Sequence, residues 1–405
     1  MLYKLAWRNI WRNKRRTFIT MGSVFFAVMM AILMRSLQEG SYEKMIENVV
    51  SFYTGYVQIH KEGYWDDQVL DNSFEATPVI KTATSSLPSV NEAVPRLESF
   101  ALAASDSTSE PCLVVGADPE KENVLTGLQN KLVKGDYFKT GSAGAMIAEG
   151  LSEKLQLGVG DTLVLIGSGY HGVSAAGKYP ITGLVRFGSP DLNDRLVYLP
   201  LEKAQIFYGA EGRLTSYALN LSNPDDYKAV VKDLKKGLDE GQYEIMDWTE
   251  MMPELVQMIE SDRGGGIIMM GVLYVIIAFG MFGTVLMMIA ERQYEFGVMT
   301  AVGMKKRKLA TMVGLETIFI SAMGIITGTI ASLPFVLYLY FNPIYLGDSM
   351  AEAYAQFGME AVFPTSLDPA IFINQALTVL VFAVLVSIYP AIKIMQIDPV
   401  KAMHT

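Results

Sequence analysis

The sequence predicts an α-helical membrane protein with four transmembrane helices and a large α+β extracytoplasmic domain inserted between the first and the second. Three observations lead there. Of 405 residues, 51% are hydrophobic and only 19% charged, with mean hydropathy +0.26, whereas a soluble domain carries about 25% charged residues. The apolar residues gather into four runs of spanning length. The charges that flank those runs are segregated by sign along the chain.

The first run, Phe18–Met34, reaches spanning length if it continues past Arg35 to Leu37. A cleaved signal peptide would need a small-x-small site after the apolar core, and Arg35, Gln38 and Glu39 stand there instead, so the segment is expected to be an uncleaved anchor. The other runs are Gly264–Ala290, Leu309–Phe341, which carries Glu316 and Pro334, and Pro369–Ala391. The expected organisation is a cytoplasmic amphipathic helix at 1–17 and spans at 18–38, 264–290, 309–340 and 369–391. The insert occupies 39–263, a cytoplasmic segment 291–308, an outer loop 341–368 and a tail 392–405.

Charge sets the expected orientation. Lys4, Arg8, Arg12, Lys14, Arg15 and Arg16 precede the first span with no acid among them, and Arg292, Lys305, Lys306, Arg307 and Lys308 lie between the second and third. Both segments read as cytoplasmic. The connection 341–368 holds Asp348, Glu352, Glu360 and Asp368 without a single Lys or Arg, and the 225-residue insert holds 19 Lys and Arg against 34 Asp and Glu. Both read as extracytoplasmic, with the two termini inside.

Within the insert, alternation marks strands at Gly55–His60, Pro111–Gly116, Asp161–Ile166, Leu196–Leu199 and Ser216–Leu221. Helices are expected at Glu149–Leu157, Leu201–Tyr208 and Pro224–Glu240, the last with Asn223 as N-cap, and Gly167–Gly177 reads as a mobile loop. Met34, Leu37, Ser41, Met45, Val49 and Phe52 recur at helical spacing, as do Met251, Leu255, Met258 and Ile259, so spans one and two are expected to run on as stalks; short helices on the lipid surface are the alternative.

Composition excludes several functions. A net charge of −9 argues against nucleic acid, and one cysteine with three histidines (His60, His171, His404) cannot build a structural zinc site. Cys112 reads as a small buried hydrophobe beside Leu113. His60 and His171 read as ordinary surface histidines without paired acids, so no catalytic constellation is visible in the insert.

Several segments remain of functional interest. On a helical wheel Lys4, Arg8, Arg12, Arg15 and Arg16 share one side of the N-terminus and Leu2, Tyr3, Ala6, Trp7, Ile10 and Trp11 the other, the pattern of an interfacial helix on membrane lipid. Residues 291–306 suit a short helix along the cytoplasmic face ended by Gly303, although charge alone favours an ordinary connecting loop with a positive-inside tail. Glu316 would cost ~2.5 kcal/mol or more at the bilayer centre; eight residues past Lys308, it is expected to snorkel or to pair with the basic cluster. Gly324-x-x-x-Gly328 with Ala331 fits close helix packing. Gly264, Gly265 and Gly266 are hinge candidates, with a simple helix break as the alternative. Met269-Met270 and Met287-Met288 could line a lipid cavity, with apolar packing the plainer reading, and Ser349-x-x-Glu352 reads as a capping box opening a short helix with Met350, Tyr354 and Phe357 on one face.

Glu291-Arg292 followed by Glu295, Gly297, Ala301 and Gly303 resembles the Glu-Arg-x-x-Glu-(Ile/Phe)-Gly-x-(Leu/Met)-x-Ala-(Leu/Val)-Gly signature of FtsX-like ABC-transporter permeases. The resemblance extends to the N-terminal Leu5–Arg16 segment and to the C-terminal Tyr389–Met403 motif with its Asp398-Pro399. Inside the insert, Ala148–Thr162 and Tyr179–Gln205 are similar to the MacB-like periplasmic core, and in particular to the lipoprotein-releasing (Lol-type) branch, with macrolide- and peptide-exporting members sharing similar motifs.

The resemblance implies a mechanotransmitting (type VII) permease subunit in the bacterial inner membrane, paired with a second protomer, identical or paralogous, and with a cytoplasmic ATPase dimer. Glu291, Arg292, Glu295, Phe296, Gly297 and Gly303 would form the ATPase-coupling helix. It implies a porter part at 52–112 with 196–247 and a sabre part at 113–195. No Gly-x-x-x-x-Gly-Lys-Ser/Thr occurs, so no cofactor is expected on this chain: ATP and Mg would sit on the partner, and the chain itself is not expected to be an enzyme. The output expected is extraction of lipoproteins toward a periplasmic acceptor. The alternatives are MacB-like efflux of drugs or peptides, and FtsX-like activation of a cell-wall hydrolase, whose members usually have a much smaller insert.

Overall fold

The computed structural model describes residues 2–12, 14–239, 241–345, 347 and 362–396. The capping box at Ser349–Glu352 and the end of the C-terminal motif from 397 onward lie outside the described residues. The helices are α1 (Leu2–Arg12), α2 (Lys14–Val49), α3 (Pro78–Ser85), α4 (Pro119–Thr126), α5 (Glu149–Leu155), α6 (Pro190–Asn193), α7 (Leu201–Tyr208), α8 (Tyr227–Gly237), α9 (Trp248–Met251), α10 (Pro253–Glu291), α11 (Gln293–Ala301), α12 (Lys306–Phe341) and α13 (Pro369–Met395). The strands are β1 (Val57–Lys61), β2 (Phe74–Glu75), β3 (Val90–Ala104), β4 (Ser109–Ala117), β5 (Leu132–Gly135), β6 (Ala145–Ala148), β7 (Thr162–Ser168), β8 (Ser174–Val185), β9 (Leu196–Pro200), β10 (Arg213–Leu214), β11 (Ser216–Leu221), β12 (Tyr243–Asp247), β13 (Ile344–Tyr345) and β14 (Val362–Phe363).

The described residues form two compact units, a membrane unit (2–43, 258–345 and 362–396) and a head (44–257). Thr17–Asn48, Pro253–Glu291, Lys306–Phe341 and Pro369–Met395 are helices long and apolar enough to cross a bilayer. Their residues are helical for the reason the sequence suggested: uncharged apolar runs must satisfy every backbone group internally in lipid, and only the helix does so within one segment. Helix α2 continues through 36 residues and α10 through 39, each well beyond the ~20 residues a bilayer requires.

Small residues set the packing of the membrane unit. A Cβ on Gly324 would stand 2.8 Å from the carbonyl oxygen of Met21, and one on Gly328 would stand 2.7 Å from that of Phe25, so the small-residue stripe of α12 lets its backbone lie directly on α2. Gly40 does the same for the segment before α13: its Cβ would meet Pro364 O at 2.5 Å. There Ser36 and Ser366 exchange two bonds, Ser366 N donating to Ser36 O at 2.9 Å and the Ser36 hydroxyl to Ser366 O at 2.5 Å.

The head is built on a ten-stranded mixed sheet ordered β12-β1-β11-β3-β4-β9-β6-β8-β5, with β7 pairing β3 and β8. The pairs β4–β9 and β6–β8 are parallel and the remaining ladders antiparallel. Two apolar clusters lie against it. One draws on Leu97, Val114, Met146, Leu151, Tyr198 and Phe207. The other draws on Ile59, Ile80, Leu214, Leu219, Leu234 and Trp248.

All five strands and three helices expected in the insert are present, with α8 preceded by a 3-10 turn at Pro224–Asp226 whose N-cap is Asn223, accepting from Asp225 N at 3.3 Å. Strand β3 is the main element that periodicity does not reveal. Arg96 and Leu97 are both buried, which breaks the alternation a half-buried strand should show. Two expectations are corrected here. Gly167–Gly177 is mostly strand, being the end of β7 and the start of β8. His60 is 1% exposed and belongs to the interior, while His171 is indeed exposed. Cys112 is buried, and burial pushes its thiol up to about 12.

Candidate coupling site

Helix α10 ends at Glu291, and the chain turns at Arg292 (φ −109°, ψ 10°) into the nine residues of α11. Gly303 ends this segment at φ +101°, a conformation that glycine adopts without the strain of a Cβ. Met304 N donates to Met299 O at 3.0 Å and Gly303 N to Thr300 O at 3.1 Å, satisfying the last carbonyls of the helix. The connection expected from sequence as a short helix ended by Gly303 is therefore such a helix.

Arg292 organises the site. Its Nη1 donates to both carboxylate oxygens of Glu316 on α12, at 3.0 and 2.7 Å, and its Nε donates to Glu295 Oε2 at 3.0 Å. The guanidinium carbon lies 5.1 Å from the centre of the Phe296 ring. Arg292 is 5% exposed and Glu316 fully buried. Arg292, one of the basic residues between the second and third spans, thus pairs with Glu316, so of the two expectations for this carboxylate the ion pair holds. An intramembrane carboxylate needs a partner on a neighbouring helix to offset desolvation, and Arg292 supplies it.

Phe296 is fully buried among Ala6, Ile289, Leu309, Val313 and Ile394, so α11 is held to α1, α10, α12 and α13 at one point. From the other side Arg12 at the end of α1 donates to Glu295. Burial alone would raise the Glu295 carboxyl, but Arg12 and Arg292 outweigh it and hold the group below its ordinary range. The Arg12–Glu295 pair is more than one-third exposed on each side, so it orients α11 more than it stabilises it. Helix α1 divides its apolar side: Ala6 and Ile10 are buried, and Trp7 meets Phe319 of α12 edge-on at 6.3 Å, while Tyr3 and Trp11 stay exposed.

Of the six residues expected to form the ATPase-coupling helix, Arg292, Phe296 and Gly297 are buried within this chain. They anchor the helix. Glu291 and Gly303 are exposed, Glu295 is half-buried, and the exposed apolar surface of the segment is Tyr294 (61%) and Val302 (84%), neither singled out in the sequence. No periodicity could have found the Arg292–Glu316 pair, whose members are 24 positions apart. The usable signal was a charge inside a span, which demands a partner somewhere in the bundle.

Residues 17–236 match the MacB-like periplasmic core domain, and residues 267–399 match the FtsX-like permease C-terminal region. The chain belongs to the MacB-type, FtsX-like ABC-transporter permeases. It is similar to the lipoprotein-releasing system transmembrane protein LolC of Xylella fastidiosa (strain 9a5c), 22% identical over 78% of this chain and 78% of that one. It is also similar to the macrolide export ATP-binding/permease protein MacB of Acinetobacter baylyi, 24% identical over 99% of this chain and 59% of that one. The permease spans less than two thirds of the length of that exporter. The periplasmic region of MacB from Actinobacillus actinomycetemcomitans, a solved structure, aligns at 14% identity and TM-score 0.37 over 53% of this chain and 98% of that one.

The permease has a second feature in its membrane unit, an apolar cavity of about 340 Å3 between α2 and α10. Met34, Leu37, Gly266, Met269, Met270 and Phe363 line it. Its polar edge is a chain of bonds: Gln38 donates to the Tyr42 hydroxyl at 2.9 Å, which donates to Asp262 at 2.5 Å. Beside it Arg263 bonds Glu39 at 2.6 Å, and Arg35 pairs with the same carboxylate. Met269 and Met270 line this cavity, whereas Met288 packs in the core and Met287 is exposed. Helix α10 runs unbroken through Gly264, Gly265 and Gly266, so the simple helix break does not occur. Gly264 and Gly265 have open space where a side chain would be, and Gly266 faces the flexible end of Gln38.

Proposed function

We propose that this permease couples ATP hydrolysis by a separate cytoplasmic ATPase dimer to movement of the head, and that it extracts lipoproteins from the bacterial inner membrane. The observation that carries the reading is the anchored helix α11. Its inner face is fastened by Phe296 and the Arg292–Glu316 pair, so a push on the exposed Tyr294 and Val302 passes into α12 and α10 rather than bending a loop. In this reading both termini are cytoplasmic, the head is periplasmic, and a second protomer, identical or paralogous, completes the assembly.

Lipid-modified cargo is favoured over a soluble solute because the cavity between α2 and α10 is walled by apolar and thioether side chains, a lining suited to acyl chains. Gly264, Gly265 and Gly266 are the proposed hinge: each glycine weakens a helix by ~1 kcal/mol relative to alanine, and two of the three touch no neighbour that would stiffen the bend. The similarity to LolC supports the same cargo, while the match of nearly the whole chain to a macrolide exporter keeps efflux as the second reading.

The test uses Tyr294→Ala and Val302→Asp in the intact complex purified with native lipid. Both should lower cargo-stimulated ATPase activity without changing the thermal stability of the permease. Full stimulation in both variants removes α11 from the coupling path. Co-purified lipoprotein supports extraction, whereas stimulation by a macrolide and not by lipoprotein selects efflux. Glu295→Lys is a poorer probe, because its carboxylate is held inside the chain by Arg12 and Arg292.

A further inference from the structure

The head contains a pocket of about 110 Å3 that the coupling function does not use. Its walls include Tyr64 and Trp65 from the turn after β1, and Phe100 and Gln68 stand exposed at its lip. Deeper in lie Thr54, His60 and Glu98. The His60 ring is stacked on Tyr64 with centroids 5.0 Å apart and tilted against Trp65 at 5.6 Å.

The hydrogen-bonding state of His60 follows from its one partner. Nδ1 lies 3.0 Å from the carbonyl oxygen of Thr215, and a carbonyl only accepts, so Nδ1 carries the proton and Nε2 is left as an acceptor. Burial lowers the imidazole to about 4, so the ring is neutral near neutral pH. Nε2 has no partner among the described residues, and neither has Thr54 Oγ1. Buried polar atoms are rarely left unpaired, and two at one small pocket point to something they are shaped to hold.

Glu98 adds a carboxyl group. Arg96 is fully buried and commits its fork to Glu122, at 2.9 and 2.6 Å, reaching Glu98 only at 3.3 Å. Burial raises the Glu98 carboxyl above its ordinary range against the pull of Arg96 and of the hydrogen bond from the Tyr53 hydroxyl, and a cation beside it would favour the ionised form. The pocket therefore presents one carboxyl group, one neutral nitrogen acceptor and one hydroxyl between aromatic faces. An anion would be repelled by Glu98. A metal ion lacks ligands, since no group of three or more His, Cys, Asp or Glu that could hold one occurs among the described residues. A primary ammonium matches: it is compact, has three donors and no acceptor, and is attracted to ring faces.

We propose that this pocket binds a primary ammonium group, as carried by a lysine side chain or a free alkylamine. The test titrates the full chain, reconstituted in lipid nanodiscs, with n-butylammonium chloride, followed by calorimetry and by Trp65 fluorescence. Saturable binding is expected, with the fluorescence change lost in Trp65→Phe and no binding of the neutral isostere n-butanol. Glu98→Gln should weaken binding by about tenfold or more, the scale of one charge-assisted hydrogen bond. Because Glu98→Gln also disturbs Arg96, Gln68→Lys is the companion variant: a lysine at the exposed lip supplies the ammonium within the chain and should abolish the titration while leaving the thermal transition in place. Tighter binding of N-acetyl-Gly-Lys-Gly-amide than of butylammonium would identify a lysine of a protein partner as the source, and the reverse order a free amine. Equal binding of butanol, no saturable binding, or a titration untouched by Gln68→Lys would overturn the proposal.

Discussion

Replacing Glu316 by alanine gives the sharpest reading of how α11 is held. The change removes both acceptors that Arg292 Nη1 uses, at 3.0 and 2.7 Å, and leaves a guanidinium whose side chain is 7% exposed with Glu295 as its remaining carboxylate. Breaking a buried pair from one side typically costs ~3–5 kcal/mol, because the surviving charge stays desolvated. The value here should fall near the lower end, since Glu295 and the Phe296 ring continue to face the guanidinium. A loss of ~3 kcal/mol corresponds to roughly a hundredfold more frequent opening of the region. Hydrogen exchange on the α11 amides in lipid nanodiscs measures this directly, with exchange of the head amides as the internal reference. The double variant Arg292→Met with Glu316→Leu removes both charges and should recover most of the protection, because an apolar replacement of similar volume leaves neither member of this pair buried without the other. Unchanged exchange in Glu316→Ala, or a double variant as unprotected as the single, would refute the reasoning.

Three further outcomes are expected. Gly324→Leu should separate α12 from α2, lowering the thermal midpoint of the solubilised permease by several degrees, because even a Cβ there would stand 2.8 Å from the Met21 carbonyl oxygen; an unchanged midpoint would remove the small-residue stripe from the packing. His60, lowered to about 4 from 6.5 by burial, takes up its proton more readily when unfolded, so its contribution to stability is complete above pH ~6.5 and is lost as pH falls toward 4, with a total on the order of a few kcal/mol; urea midpoints at pH 7 and pH 4.5 should differ less in His60→Gln than in the parent chain, and equal differences would contradict the assignment. Cys112, buried and pushed up to about 12, should react with N-ethylmaleimide only on unfolding, and complete alkylation of the native protein within minutes, read by intact mass, would refute its burial.

Much of the architecture was legible because the signals behind it are local. Four apolar runs become four long helices, since a bilayer leaves no other way to satisfy the backbone. The Gly303 stop was legible because a positive φ has one common solution. Leu201–Tyr208 was found at its full length because helical periodicity needs only its own eight residues. Strand β3 was not legible, because the two clusters of the head make different demands on its faces and bury the neighbours Arg96 and Leu97 together.

What the chain's own pattern determined is its membrane-spanning class and the place of the insert, both of which follow from composition within a window. What only tertiary structure decided is which face of each element is free. Arg292, Phe296 and Gly297 sit in the family signature beside Glu291, yet three of these face inward and one outward, because Glu316, 24 positions from Arg292, pulls the guanidinium into the bundle. The same holds for His60, which a strand pattern cannot distinguish from a surface histidine until Thr215 and Tyr64 close over it. Burial is a property of pairs of distant residues, and the desolvation it imposes on a charge or an imidazole appears only once the fold has brought those pairs together.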